Sequence, residues 1–525
     1  MTTRISIFLI LFFVFASSSL HAQDKHKKSA VSSAESTAKA ASQSIRGARV
    51  DCQDGFAGEY PCLMTDLMSF VNITDLLAGL ETAPSGVNDI WGWTDSATGR
   101  EFAIVGLNTG TSFVEITDAE NPVTLGFLKT HTPAQVWRDI KVYNNHAFIV
   151  ADASGAHGMQ VFDLTELLSV SSPPQLFAET AHYDTINSAH NIVINEDTGF
   201  AYLVGGSSGG ETCGGGLHMV NIQDPLLPTF AGCFSSGYTH DAQCVVYNGP
   251  DADHQGKEIC VESSVKDVVI SDVTDKSNAF IIGAGTYPTV EYAHQGWLTD
   301  DHRYFIQGDE LDEGRRGNNT KTIIWDFIDL DDPVVLTEFI AETPVIDHNL
   351  YIIGDYTYQS NYYSGLRILD TSDPASPVEV AFFDTVPNAE TVGFGDGSWS
   401  NYPYYDSEVI AVSSQQGGLF VLKSNAVETT VELPELPAQL TLSAPYPNPF
   451  DVQTSITLTV DKAQQTEVVV YDMLGRQVAV LFDGMLTPDS PQAVSFEGKN
   501  LPNGKYIVRA TGDSSVLSRI VTLIR

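Results

Sequence analysis

Six residues recur at the start of successive strand-like segments, and all are of types that bind metals or move protons: Asp89 in NDIWG, Asp139 in RDIKV, His190 in AHNIV, His240 in THDAQ, His294 in AHQGW and His348 in DHNLY. The gaps between them are 50, 51, 50, 54 and 54 residues, and His fills only 13 of 525 positions, so four imidazoles in one register are hard to ascribe to chance. Neutral imidazole nitrogens bind divalent transition metals, and Asp adds a harder oxygen donor. A second column, Asp152, Glu262, Asp309 and Asn361, falls where the following segment ends; Asp139 to Asp152 and His348 to Asn361 each span 13 residues. The metal candidates are therefore His190, His240, His294 and His348, with the six Asp, Glu and Asn positions as binding candidates and a divalent metal ion as the implied cofactor. The same columns can instead be hydrogen-bonding struts, which would pair each imidazole within its own or the adjacent repeat. A metal-dependent extracellular hydrolase, with Asp139 or Asp152 as base, is a third reading.

The elements that would position these columns form a repeat. Seven short segments share one register: VEITD ending at Asp118, QVFD at Asp163, HMVN at Asn221, VVISD at Asp272, IIWD at Asp326, RILD at Asp370 and LFVLK at Lys423, spaced by 45, 58, 51, 54, 44 and 53. Most are followed by a turn signal such as AENP, IQDP or TSDPASP and then an apolar strand such as LGFL or VLTEFIA. Two strand-like runs precede each, for instance DIKVYNN with HAFIVAD. Runs of β-branched and aromatic residues between Gly, Asn, Asp and Pro exclude a helical solenoid. Four short strands per unit of roughly 50 residues, repeated about seven times, is the arithmetic of a β-propeller. Seven blades fit best, with six or eight as the alternative counts. The last repeat stops at its third strand, so CLMTDLMSFV from Cys62 is placed to complete the last blade and remove an open edge. The innermost strand of a blade begins beside the central channel, which would bring both polar columns to one channel mouth.

At the start of the chain Arg4 precedes an apolar run, Ile5 to Ala16, and small residues lead to Ala22, the pattern of a secretory signal peptide over 1–22. Residues 23–50 carry Lys, Ser and Ala with no aromatic side chain, which predicts a flexible leader. No second stretch of about 20 apolar residues follows, so no transmembrane segment is expected in the mature chain. In an oxidising compartment the six cysteines favour neighbour pairs, Cys52–Cys62, Cys213–Cys233 and Cys244–Cys260, with other pairings and free buried thiols left open.

After the repeats at 51–425 comes an acidic, Pro-containing linker at 426–440, and then residues 441–525 read as short strands: SITLTV, TEVVVYDM, QVAVLF, AVSFEG, GKYIVRAT and SRIVTLIR. A small Ig-like β-sandwich suits them. The fold class is all-β, a seven-bladed β-propeller followed by this C-terminal sandwich. The tail motifs YPNPF, VVVYDMLGRQVAVL, NLPNGKYIVRA and the final VTLIR resemble the C-terminal sorting domain of proteins exported by the type IX secretion system. That resemblance implies the export machinery as a partner, a secreted or outer cell-surface location, and removal or surface attachment of the tail. The repeats, with ISDVTD and RILDTSDPASPVEVAFFDT, resemble LVIVD-repeat propellers, and their frame resembles the choice-of-anchor B family, although Asn221 and Lys423 depart from the strand-ending Asp. Those resemblances imply an exported propeller and no particular activity.

Charge narrows the partners. The chain has 27 Lys+Arg against 66 Asp+Glu, a formal balance of −39, and residues 51–425 alone hold 13 basic and 53 acidic residues. Such a surface repels nucleic-acid phosphates and attracts divalent cations. The loop GDELDEGRRGNNTK, Gly308 to Lys321, reads as a solvated loop, with calcium or polar-ligand binding as the alternative. Tyr356, Tyr358, Tyr362 and Tyr363, with Trp399, Tyr402, Tyr404 and Tyr405, could form an aromatic rim or simply pack between sheets. GGSSGGETCGGG lacks the helix and Lys-Ser/Thr of a phosphate loop, and no G-x-S-x-G elbow occurs. The best reading is an exported module that binds an extracellular ligand or metal at the channel mouth; a hydrolase, or a structural or adhesion protein of the envelope, are the alternatives.

Overall fold

Strand-forming segments of four to nine residues, each ended by a turn, give this chain few choices other than stacked antiparallel sheets. The computed structural model describes residues 43–81, 85–235, 237–387, 389, 392–427, 441–443, 445–460, 464–472, 476–487, 491–499, 501–512 and 516–525. The signal peptide, most of the leader and the linker from 428 lie outside them. Two compact units emerge, residues 1–427 and 428–525, and each is described by itself.

In the first unit the described residues form seven sheets of four to six strands. Their innermost strands are Val87–Asp95, Arg138–Tyr143, Asn191–Asn195, Asp241–Val246, Ala293–Leu298, Leu350–Ile353 and Ser398–Tyr402. Each packs against the next, and the last packs against the first, which closes the ring of a β-propeller. The apolar pattern explains the layering. Strands near the axis lie between two neighbouring sheets and are buried along nearly their whole length, as Ala293–Leu298 is, whereas the outermost strand Val334–Ile340 alternates exposed and half-buried positions. Cores therefore sit between sheets, for example Ile90, Val105, Val114, Ala411 and Val421 between the first sheet and the last.

Closure uses the N-terminal segment. Thr65–Asn72 pairs antiparallel with Gly418–Ser424 and completes the seventh sheet, while Cys62 and Leu63 pair with Phe383 and Phe382 of the sixth. Residues 43–50, given to a flexible leader by their composition, are ordered along this strand. Ile45 and Phe70 exchange amide hydrogen bonds at 2.9 Å, and Ile45 and Val50 pack on the cluster that holds Leu67 and Phe70. Two apolar residues, helped by Ser44 between Asp75 and the Asn72 amide, dock the end of an otherwise polar leader. Disulfides join Cys52 to Cys62, Cys213 to Cys233 and Cys244 to Cys260.

One blade is irregular. After the 3-10 turn Leu164–Ser169 the chain splits its outer strand in two: Gln175–Phe177 runs parallel to Val123–Lys129 of the first sheet, and Ala181–Tyr183 pairs antiparallel with Met159–Val161 of the second. Residues 175–183 thus strap the first two sheets together.

The second unit is a sandwich. Thr441–Leu442, Gln453–Thr459 and Gln492–Glu497 make one sheet, and Gln464–Asp472, Gln477–Leu486, Gly504–Thr511 and Val516–Leu523 the other. Ile456, Leu458, Val468, Val470, Phe496, Val508 and Val521 fill the space between them. Among the described residues of the whole chain, no helix is long and apolar enough to cross a membrane.

Candidate functional site

Side chains alternate along a strand, so Asp139 and Lys141 of Arg138–Tyr143 share a face. Lys141 Nζ lies 2.7 Å from Asp139 Oδ1 and 3.8 Å from Asp89 Oδ2, and 4.5 Å above the Trp91 ring. The carboxylates also reach forward: Asp89 Oδ2 accepts the Ile140 amide at 3.1 Å and Asp139 Oδ2 the Ile192 amide at 2.7 Å, each in the next sheet. Further round the ring Gln243 accepts the Leu298 amide at 2.7 Å and Gln295 the Leu350 amide at 2.8 Å, so a neutral side chain does the same stitching. Burial and the neighbouring Asp139 push the Asp89 carboxyl well up, and they push Asp241 up to about 7. Burial also works against the Asp139 anion, but the Lys141 ammonium holds that carboxyl below its ordinary value.

The imidazoles gather elsewhere on the inner wall. His190, His240, His294 and His348 follow one another with ring centroids 4.5, 4.2 and 4.5 Å apart. Three of the Nδ1 atoms serve as struts: His240 Nδ1 is 3.0 Å from the His294 carbonyl, His348 Nδ1 2.5 Å from the Trp399 carbonyl, and His190 Nδ1 3.1 Å from Asp152 Oδ2, whereas His294 Nδ1 is buried without such a bond. A carbonyl oxygen only accepts, so Nδ1 of His240 and His348 carries the proton and Nε2 keeps a lone pair. Those Nε2 edges matter most at Glu310. Its carboxylate lies 3.7 Å from His294 Nε2 and 3.8 Å from His348 Nε2, and the three ligand atoms all lie within 4.8 Å of one another. Glu310 also accepts the Tyr362 hydroxyl at 3.1 Å.

All three side chains are buried: His294 is 2%, Glu310 6% and His348 7% exposed. Burial and the adjoining imidazoles hold His294 far below its ordinary value, and burial pushes His348 down to about 3. Both rings are therefore neutral at physiological pH. Burial pushes Glu310 up to about 7. Two neutral imidazoles with Nε2 turned to a carboxylate that burial keeps poorly ionised could hold a divalent ion, whose charge would restore the anion. His190 differs, because Asp152, acting against burial, raises it.

The remaining sequence candidates go to separate tasks. Asp152 accepts Ser188 Oγ at 2.8 Å and Ser207 Oγ at 2.7 Å besides His190, and these bonds hold its carboxyl well below the usual range despite burial. Glu262 accepts Thr239 Oγ1 at 2.8 Å and Ser271 Oγ at 2.6 Å. Asp309 accepts the amides of Glu291 and Tyr292 at 2.8 and 2.6 Å and the Tyr287 hydroxyl at 3.0 Å, which shapes the loop before the fifth inner strand. Asn361 is buried, and its carbonyl accepts the Ser364 amide at 2.8 Å. The structure thus brings His294 and His348 together with Glu310, leaves Asp89 and Asp139 with Lys141, and gives Asp152, Glu262 and Asp309 to local hydrogen bonds. Glu310 and Lys141 escaped the sequence columns. Lys141 is two residues from Asp139, a spacing that alternation alone puts on the same face; Glu310 is one residue beyond the column position Asp309.

The loop after Asp309 is solvated only over residues 314–317. Asp312 and Glu313 are buried in a short helix, Asp312–Arg316, with Lys321 Nζ 2.9 Å from Asp312 Oδ2. Burial and the nearby Asp347 and Asp312 push Glu313 up to about 11, so it is protonated. The two arginines turn outward to Glu291, at 3.1 and 2.6 Å. Of the tyrosines offered as a rim, Tyr358, Tyr362 and Tyr405 are buried between sheets.

Residues 444–523 match the family model for a secretion system C-terminal sorting domain. The tail is a secretion sorting domain. It is the type IX sorting domain that the tail motifs suggested, and it addresses the chain for export to the cell surface or beyond. A search of the curated proteins finds no match. Among solved structures, the crystal structure of a protein from Lactobacillus plantarum is similar at 11% identity with a TM-score of 0.41, over 78% of this chain and 100% of that one.

Proposed function

We propose that the exported ring is a binding module whose inner wall holds a divalent transition-metal ion between His294, His348 and Glu310, with His240 and His190 completing the imidazole arc. The observation that carries this reading is Glu310, set 3.7 and 3.8 Å from two Nε2 atoms that no main-chain strut employs. A tetrahedral shell with bonds of ~2.1 Å separates its ligand atoms by about 3.4 Å, so each carboxylate–imidazole edge would close by a few tenths of an ångström, and the three ligand atoms together start within 4.8 Å of one another. Imidazole with one carboxylate suits zinc, nickel or copper better than calcium or magnesium. The His348 Nδ1 bond to a carbonyl is the outer support that fixes a metal-binding ring and its tautomer.

The wider frame belongs to the same reading: a signal peptide at 1–22, a leader, a seven-bladed propeller over 51–425 of the LVIVD, choice-of-anchor B kind, a linker at 426–440 and the sorting sandwich at 441–525. Binding rather than turnover is favoured because both imidazoles and the carboxylate are buried. The test is a zinc titration of chelator-stripped chain. His294→Ala/His348→Ala should lose one equivalent of zinc, and Glu310→Gln should bind that equivalent at least about tenfold more weakly. Retention of that equivalent at full affinity in the double variant would overturn the proposal.

A further inference from the structure

A second group of metal-ligating side chains lies on the outside of the ring, at the seam between the first two sheets. His131 comes from the connection between those sheets, and Glu179 and His182 come from the strap that crosses them. Glu179 Oε2 is 2.5 Å from His131 Nε2 and 3.3 Å from His182 Nδ1, the imidazole centroids are 4.4 Å apart, and the three ligand atoms all lie within 4.8 Å of one another. Unlike the inner arc these side chains are reachable, with exposures of 38%, 23% and 27% for His131, Glu179 and His182.

We propose that His131, Glu179 and His182 form a surface site for a divalent transition-metal ion, zinc by its ligand set, that clips the strap onto the connection between the first two sheets. Two imidazoles and one carboxylate are the donor set of zinc sites that keep a fourth position for water or an incoming ligand. In the metal-free chain one carboxylate oxygen bridges two imidazole nitrogens, and an ion between the three would displace the ring protons that make those bonds. The 3.3 Å contact already has the separation of a tetrahedral edge, about 3.4 Å. The 2.5 Å contact must open by somewhat less than 1 Å, and it involves the more exposed ring, His131, on a connecting segment.

The strap is prepared for this role at both ends. Phe177 packs against Phe162 and Phe113, with centroids 5.1 and 5.6 Å away, and the Tyr183 hydroxyl meets His218 Nε2 at 2.8 Å. Between those anchors only the ligand-bearing stretch is exposed. Beneath it Gly158 has φ +67°, and a Cβ there would come within 2.4 Å of the Tyr183 carbonyl and 2.8 Å of His182 Nε2, so the strap closes over bare backbone. Beside the triad runs a groove lined by Leu128, Thr130, Gln160 and Phe177, from which water or a small donor reaches the open position.

Zinc titration of chelator-stripped full-length chain tests this, with each equivalent assigned by its own variant. His131→Ala/His182→Ala should lose one equivalent while the equivalent removed by His294→Ala/His348→Ala stays. Glu179→Gln, which keeps the shape of the side chain, should weaken the seam site at least about tenfold. Zinc should also slow proteolytic nicking of the strap in the wild-type chain and not in the double variant. Unchanged stoichiometry and affinity in His131→Ala/His182→Ala would overturn the seam site without touching the inner one. Loss of zinc only in the His294→Ala/His348→Ala chain would have the same meaning.

Discussion

Along the inner wall of the ring, Asp89 and Asp139 share the Lys141 ammonium, while a few strands away His294 and His348 face Glu310 with no built-in cation between them. Both regions draw on residues at the starts of inner strands, and in both some of the side chains stitch one sheet to the next, as Asp89, Asp139 and His348 do. They differ in what meets the remaining atoms. On the carboxylate side a lysine of the chain itself supplies the positive charge, so the cluster is complete when the ring folds. On the imidazole side a carboxylate that burial keeps poorly ionised meets two neutral rings and the Tyr362 hydroxyl, the arrangement on which the proposed metal site rests. A polar column in a propeller is therefore neither strut nor site by its residue type; the second atom of each group decides.

The largest expected effect breaks the first region. Lys141→Met leaves the buried Asp139 carboxylate, beside Asp89, without its cation and should cost about 3–5 kcal/mol in urea denaturation. A loss below about 1 kcal/mol would mean that the backbone amides alone satisfy Asp89 and Asp139. The second effect sharpens the other region. In the His131→Ala/His182→Ala background, zinc at 100 times its dissociation constant should raise stability by about 2.7 kcal/mol. Adding His294→Ala/His348→Ala should abolish that gain, measured by the shift of the urea midpoint.

How far the sequence foretold this difference depends on the residue. The repeat spacing, the closing strand and the neighbouring cysteines were legible because they follow from period, edge pairing and short loops. The four imidazoles were legible as a column, and their centroids do follow one another. Asp309 and Glu310 were not distinguishable, because at a strand end a one-residue shift exchanges the inward and the local side chain and only the loop geometry fixes which is which. Asp309 goes to the amides of Glu291 and Tyr292, and Glu310 is what remains to face the rings. The end of the leader was misread for a related reason: composition averages over Ile45 and Val50, the two residues that dock it.

The smallest effect, taken per pH unit, gives the two regions opposite signs with pH in metal-free protein. Asp241 holds a proton in the folded chain up to about 7 against 3.8 ordinarily, so its contribution is present below pH 3.8 and is lost as pH rises through 7. His348 stays neutral down to about 3 against 6.5 ordinarily, so its contribution is present above pH 6.5 and is lost as pH falls toward 3. Each should show a slope of about 1.4 kcal/mol per pH unit within its window. Asp241→Asn should flatten the first and His348→Gln the second, read from urea midpoints across pH; the same sign for both would contradict the assignment.

The closing strand has a consequence for timing. Ser424 bonds back to Met64 across 360 residues, so the segment synthesised near the beginning is used at the end. Bringing such distant ends together costs roughly 5 kcal/mol in chain entropy, and nothing repays it until the seventh sheet exists. A ribosome or a translocation pore that releases the chain in order therefore holds an open ring with two unpaired edges until residue 424 is free. Ring closure is thus set by the release of residue 424, ahead of the sorting sandwich, and a chain cut short before that point lacks the partner of Thr65–Asn72 in the seventh sheet.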